Sequence, residues 1–174
     1  DPIARKYGIE MIFPLFEPLY FVSADRTRLK QVLINLLSNA IKYNLKSGKV
    51  EASSAQISPG RMRISIRDTG AGLSADELSQ LFKPFQRLGQ EAGGVEGTGI
   101  GLVVARQLVE LMGGEIGVES KVGEGSTFWF ELNEVSPPNE NLGGEASHPL
   151  SALGNLNPLR IQTLLYVEDN QANM

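Results

Sequence analysis

The sequence contains no cysteine, which excludes disulfides and any thiolate metal site. A single histidine, His148, stands in a Pro/Gly-rich setting, so neither a His-based metal site nor a Ser-His-Asp triad has its parts. No apolar run reaches the roughly 18 residues that suggest a membrane span, and no signal-peptide pattern opens the chain. Acidic residues outnumber basic ones, 20 to 16, for a net charge of −4. That balance argues against a protein whose main task is gripping nucleic acid. Lys and Arg vanish entirely from 134–159, where four of the nine prolines fall, and this is the composition of a linker. What remains is long enough for one good-sized domain, and a body of about this size buries roughly 70% of its unfolded surface.

The best-patterned stretch is Asp25 to Asn44. Leu29, Val32, Leu33, Leu36, Leu37, Ala40 and Ile41 recur at helical spacing, and Asp25 stands where an N-cap belongs. Asn35, Asn39 and Lys42 share a narrow polar stripe on this helix, with Tyr43 beside it. Asn is a poor interior helix residue, although a solvated face would tolerate the pair. Short strands are expected at Ile9–Phe13 and Leu19–Val22. An antiparallel hairpin is expected from Val50–Ile57 and Met62–Arg67, with Met62, Ile64 and Ile66 facing inward and the arginines facing water. Ser74 and Glu77 have capping-box spacing for a short helix through Phe82. Residues 86–98 are polar, glycine-rich and without period, which reads as a mobile loop. A strongly amphipathic helix is expected from Gly99 to Met112, stopped by Gly113-Gly114, then strands at Glu115–Glu119 and Ser126–Leu132. Helices grouped between hairpins predict an α+β fold: a two-layer sandwich with a mixed, mostly antiparallel sheet covered on one face by helices.

Two glycine clusters carry candidate chemistry. Gly97-Thr98-Gly99-Ile100-Gly101 opens a helix, where bare amides and the helix dipole favour phosphate. It is neither a Walker loop nor a dinucleotide fingerprint, because no GK[ST] follows and no strand precedes it. Asp68 ends a strand just before Gly70 and Gly72, a place where a partly buried carboxylate could accept a hydrogen bond from an exocyclic amine.

In order, the Asn-bearing helix, DTGAGL (68–73), GTGIGL (97–102) and GEGSTF (123–128) resemble the ATP-binding domain of sensor histidine kinases, with LFKPFQRL (81–88) between them. This family shares its nucleotide fold with gyrase and MutL. The resemblance implies that Asn35 and Asn39 hold Mg²⁺ and phosphate oxygens, that Lys42 neutralises phosphate charge and that Tyr43 packs against adenine. It implies that Asp68 reads the adenine amine, with Gly70 and Gly72 clearing room for the ring and Thr127 supporting the contact. Phe82 and Phe85 would hinge a lid at 86–98. Gly97, Thr98, Gly99, Gly101 and Leu102 would wrap the phosphates, with Arg87 as an additional partner. ATP and Mg are the implied cofactors.

ATPase members of the superfamily place a general-base Glu where this chain has Asn35, so the resemblance points to phosphoryl transfer to His rather than efficient hydrolysis. A gyrase-like ATPase and a degenerate kinase that only senses nucleotide are the alternatives. The phosphoacceptor His would lie on an upstream dimerising helical hairpin, with His148 a bystander. LLYVEDN (164–170) resembles the first strand of a receiver domain, in which Glu168 and Asp169 match an acidic pair. The implied organisation is linker at 1–8, catalytic domain at 9–133, linker at 134–160 and the start of a truncated receiver at 161–174. The parent would be a hybrid kinase whose partners are its own hairpin and a receiver in cis or a response regulator. This part would be cytoplasmic and make no membrane or nucleic-acid contact, even if the parent is membrane-anchored.

Overall fold

The structure, a computed structural model, describes residues 2–13, 20–84, 99–136 and the pair 167–168. Its elements run α1 (Pro2–Tyr7), β1 (Glu10–Ile12), β2 (Phe21–Ser23), α2 (Arg26–Lys42), β3 (Lys49–Ser58) and β4 (Arg61–Asp68). They continue with α3 (Ala75–Gln80), α4 (Gly101–Leu111), β5 (Glu115–Lys121), β6 (Gly125–Val135) and β7 (Val167–Glu168). The sheet order is β1-β3-β4-β6-β2-β7, and β5 also pairs with β6. The β1–β3 and β2–β7 pairs are parallel and the others antiparallel. Helices α2 and α4 pack on one face, giving the expected mixed, mostly antiparallel two-layer α+β sandwich.

Helix α2 forms as its sequence predicts. The Asp25 carboxylate accepts the Arg28 N–H at 2.8 Å, satisfying one of the donors that a helix start leaves unpaired. Leu29, Val32, Leu36, Ala40 and Ile41 form the buried stripe. The sheet answers with period-two alternation: Met62, Ile64 and Ile66 of β4 lie beside Leu132, Phe130 and Phe128 of β6, all buried. Helix α4 adds Ala105 and Val109 to this core. It stops in a Schellman turn, in which Gly113 at φ 70° donates to Glu110 O and Gly114 donates to Val109 O. The capping box is also present, Ser74 and Glu77 bonding reciprocally at the start of α3.

Several boundaries differ from expectation. Strand β6 runs past Leu132 to Val135, because β2 pairs with its last residues, Phe21 with Val135 and Val22 with Glu134. Helix α3 ends at Gln80 rather than Phe82, and α4 begins at Gly101, since Gly99 takes a positive φ of 69°. Residues 2–7 are helical, and Ala4 is buried in the core, so this segment packs as part of the body. The arginine face of β4 is only partly wet. Arg63 stacks 3.9 Å from the Trp129 ring and donates from Nε to buried Glu131 at 2.9 Å. Of residues 161–174 only 167–168 are described, and they pair with β2.

The facing of α2 predicts a contrast. Leu36 is fully buried and Ile34, two residues earlier, is 48% exposed. Leu36→Ala should cost about 2–5 kcal/mol and Ile34→Ala less than about 0.5 kcal/mol, measured by urea unfolding. Equal losses would mean the helix faces differently.

Candidate functional site

Across β5, β6 and β4, one sheet face carries two apolar rows and then a polar one. The rows are Ile116–Phe130–Ile64, Val118–Phe128–Ile66 and Ser120–Ser126–Asp68. Alternation therefore puts Asp68 on the core side, and it is 5% exposed. Its Oδ1 accepts the Gly70 N–H at 2.8 Å and the Ser126 N–H at 3.2 Å. Both bonds are to Oδ1. Burial nevertheless wins over these two donors and pushes the Asp68 carboxyl above its ordinary range.

The same alternation corrects the expected role of Thr127. Thr127 pairs with Arg67 and Glu119, on the face away from Asp68. Ser126 is the hydroxyl beside the carboxylate, and it is itself buried. Counting back in twos from Leu132, Phe130 and Phe128 would have found it.

Gly70 and Gly72 are also accounted for differently. A Cβ on Gly70 would lie 2.6 Å from the Tyr43 carbonyl oxygen, and one on Gly72 would lie 2.0 Å from the Lys121 carbonyl oxygen. These glycines let the loop after β4 close on the C-terminal end of α2 and on the β5–β6 turn. Room for a ring is not what first requires them. Further bonds fasten the loop: Gly123 N–H donates to Ala71 O, and Leu73 N–H donates to Ser120 Oγ. On its other side Thr69 Oγ1 donates to Asn44 Oδ1 and accepts the Lys49 N–H. Ser120, Ser126 and Asn44 were not singled out from sequence.

At its middle, α2 meets the start of α4. Asn35 Nδ2 donates to the Gly101 carbonyl at 3.0 Å, and Gln31 Nε2 donates to Asn35 Oδ1 at 3.1 Å. This explains a mid-helix asparagine: both ends of its amide are bonded, one of them across to another helix. Asn39 and Lys42 are half-buried on the same helix, while Tyr43 is exposed at its C-cap. The N-cap of α4 is Ile100, whose side chain offers no cap hydrogen bond, so among the described residues the first amides of α4 are donors suited to an anion. Leu102 packs against the core. Phe82 lies 5.8 Å from the Arg106 guanidinium. Phe85, Arg87, Gly97, Thr98, His148 and the loop 86–98 lie outside the described residues.

The Asp68 shift has a signed consequence. The native protein keeps a proton on Asp68 at pH values where the unfolded chain, with an Asp pKa of about 3.9, has released it. Stability therefore falls as pH rises through the folded-state value, because burial penalises the charged form. Asp68→Asn keeps an acceptor for both amides. It should unfold at least as late as the parent at pH 7 and lose this component of the pH profile. A large loss of melting temperature at pH 7 would contradict the account.

The family described as histidine kinase-, DNA gyrase B- and HSP90-like ATPase matches residues 24–136. The sensor histidine kinase GacS of Pseudomonas protegens is 42% identical over 142 residues, covering 76% of this chain and 15% of that protein. The virulence sensor protein BvgS of Bordetella bronchiseptica is 34% identical over 187 aligned positions, covering 100% of this chain and 14% of that protein. The chain thus spans about one seventh of these relatives. Among solved structures, full-length ShkA in complex with AMPPNP superimposes with a TM-score of 0.67 at 35% identity, covering 78% of this chain and 28% of that one. The chain belongs to the histidine kinase-, DNA gyrase B- and HSP90-like ATPase family, and the part of it that matches is similar to the ATPase domain of sensor histidine kinases.

Proposed function

We propose that this domain binds Mg-ATP and transfers the γ-phosphoryl group to a histidine on a dimerising helical hairpin of the same parent, a hybrid kinase. One observation carries the reading. Helix α2 connects an anion-suited point at its middle, where Asn35 bonds the first residue of α4, with a base-suited C-terminal end, where the Tyr43 carbonyl oxygen packs on Gly70 in the loop after Asp68. Eight residues at about 1.5 Å each separate Asn35 from Tyr43, about 12 Å. That is the scale of a nucleotide laid from purine to terminal phosphates. The AMPPNP held by the ShkA structure supports the same reading.

Within it, Asp68 accepts the adenine amine and Tyr43 covers the ring. Lys42 and the first amides of α4 would offset phosphate charge, and the Asn39 amide oxygen and the second lone pair of Asn35 Oδ1, whose first accepts from Gln31, would meet the phosphates through a metal ion. These donors fit a magnesium ion. They are neutral oxygens, and no group of three His, Cys, Asp or Glu gathers among the described residues. An ion there would draw its charge balance from phosphate oxygens and keep water, as Mg²⁺ prefers. When bound, Mg²⁺ supplies charge neutralisation on the phosphates. The remaining work of the chain is placement. A neutral imidazole nitrogen attacks the γ-phosphorus with its lone pair, the bond to the β,γ-bridging oxygen breaks, and ADP leaves with that electron pair. The ring proton passes to solvent or a neighbouring base. Hydrolysis would instead need a base for water. The Asn35 amide, donating to Gly101 O and accepting from Gln31, does not provide one, which disfavours the gyrase-like ATPase reading.

The hybrid organisation rests on LLYVEDN at 164–170, which resembles the first strand of a receiver domain. A receiver domain in cis or a response regulator would take the phosphoryl group onward. No helix among the described residues is long and apolar enough to cross a membrane, and the reading places this domain in the cytoplasm.

The test mixes the protein with the dimeric hairpin of its parent and γ-labelled ATP. Acid-labile, base-stable label on the hairpin is expected. Nucleotide binding without transfer would favour a nucleotide sensor, and fast release of free phosphate an ATPase. Asp68→Asn, which is expected to keep the fold, should weaken ADP binding about 10- to 100-fold, the value of a hydrogen bond to a charged group. Unchanged affinity in calorimetry would remove Asp68 from the site.

A further inference from the structure

The polar row ends in a residue that the nucleotide reading does not use. Ser120 is paired directly with Ser126, and Ser126 directly with Asp68. Ser120 Oγ accepts the Leu73 N–H at 2.8 Å and lies 2.9 Å from both the Gly125 carbonyl oxygen and Ser126 Oγ. A serine hydroxyl has one proton and two lone pairs. The Leu73 amide takes one lone pair, and the Gly125 carbonyl, which can only accept, takes the proton. The bond between the two serines must then use the proton of Ser126. Ser126 is left with lone pairs on its remaining side, next to a carboxylate that also only accepts.

We infer that Ser120 is a positioning residue for base recognition: it turns the Ser126 hydroxyl into an acceptor, so that Ser126 and Asp68 together admit an exocyclic amine and disfavour a carbonyl oxygen. The inference rests on the reading of Asp68 as the adenine contact. A base with a keto oxygen in place of the amine, such as hypoxanthine, meets acceptors only. Without the Ser120 hydroxyl, Ser126 is free to rotate its proton toward that oxygen, and the discrimination shrinks.

The experiment measures ADP and inosine diphosphate affinities by calorimetry for the parent protein, Ser120→Ala, Ser120→Thr and Ser126→Ala. Ser120→Ala should reduce the ADP preference by about two- to tenfold, the value of one neutral hydrogen bond. Ser120→Thr, which restores the hydroxyl, should keep the preference, and Ser126→Ala should reduce it without any change at position 120. A purely structural Ser120 would lower the melting temperature and both affinities together, leaving their ratio intact. An intact ratio in Ser120→Ala, or in Ser126→Ala should the first variant not fold, overturns the inference. A parent protein that does not prefer ADP overturns the adenine reading itself, and this inference with it.

Discussion

A buried carboxylate sets the terms for this end of the molecule. Asp68 lies on the core side of β4 because alternation from Met62, Ile64 and Ile66 puts it there, and water is largely excluded from it. Two backbone amides answer one of its oxygens, yet burial still dominates its ionisation. The surrounding backbone is held in place by close approaches. The loop 69–73 is pressed between the end of α2 and the β5–β6 turn, with no room for a Cβ at Gly70 or Gly72. A buried acid whose ionisation works against folding is a candidate for a functional role.

Helix α2 gives that local arrangement its reach. Its apolar stripe fastens it to the sheet, its C-terminal end contacts the Asp68 loop, and Asn35 holds the first residue of α4. The Asn44–Thr69–Lys49 bonds join the helix end, the loop and β3 into one unit. In the proposed reading, base and phosphate recognition would share a single rigid element, which suits a site whose work is placement rather than proton transfer.

Much of this was legible in sequence, for identifiable reasons. Asp25 and the Leu29–Ile41 stripe declare α2, Gly113-Gly114 declares the end of α4, and Ser74 with Glu77 declares α3, because caps and periods are local signals. The ordered motifs point to the loop after β4 and to the start of α4, the two places the proposed reading uses. What escaped depended on distant contacts. Gly70 and Gly72 are required by Tyr43 and Lys121, neither of which is near in sequence. The extension of β6 to Val135 depends on pairing with β2, over a hundred residues earlier. The resemblance implies Thr127, whereas alternation from Leu132 through Phe130 and Phe128 puts Ser126 beside Asp68, a parity that is legible in the sequence.

The most direct measurement follows backbone amide signals by NMR during titration with ADP. If the base sits at the polar row and the phosphates at the start of α4, then Gly70, Ser126 and Gly101 should shift in proportion to occupancy. Arg61 and Asn133, at the far end of β4 and β6, should stay still. Saturable binding that leaves Gly70 and Ser126 unmoved would contradict the account.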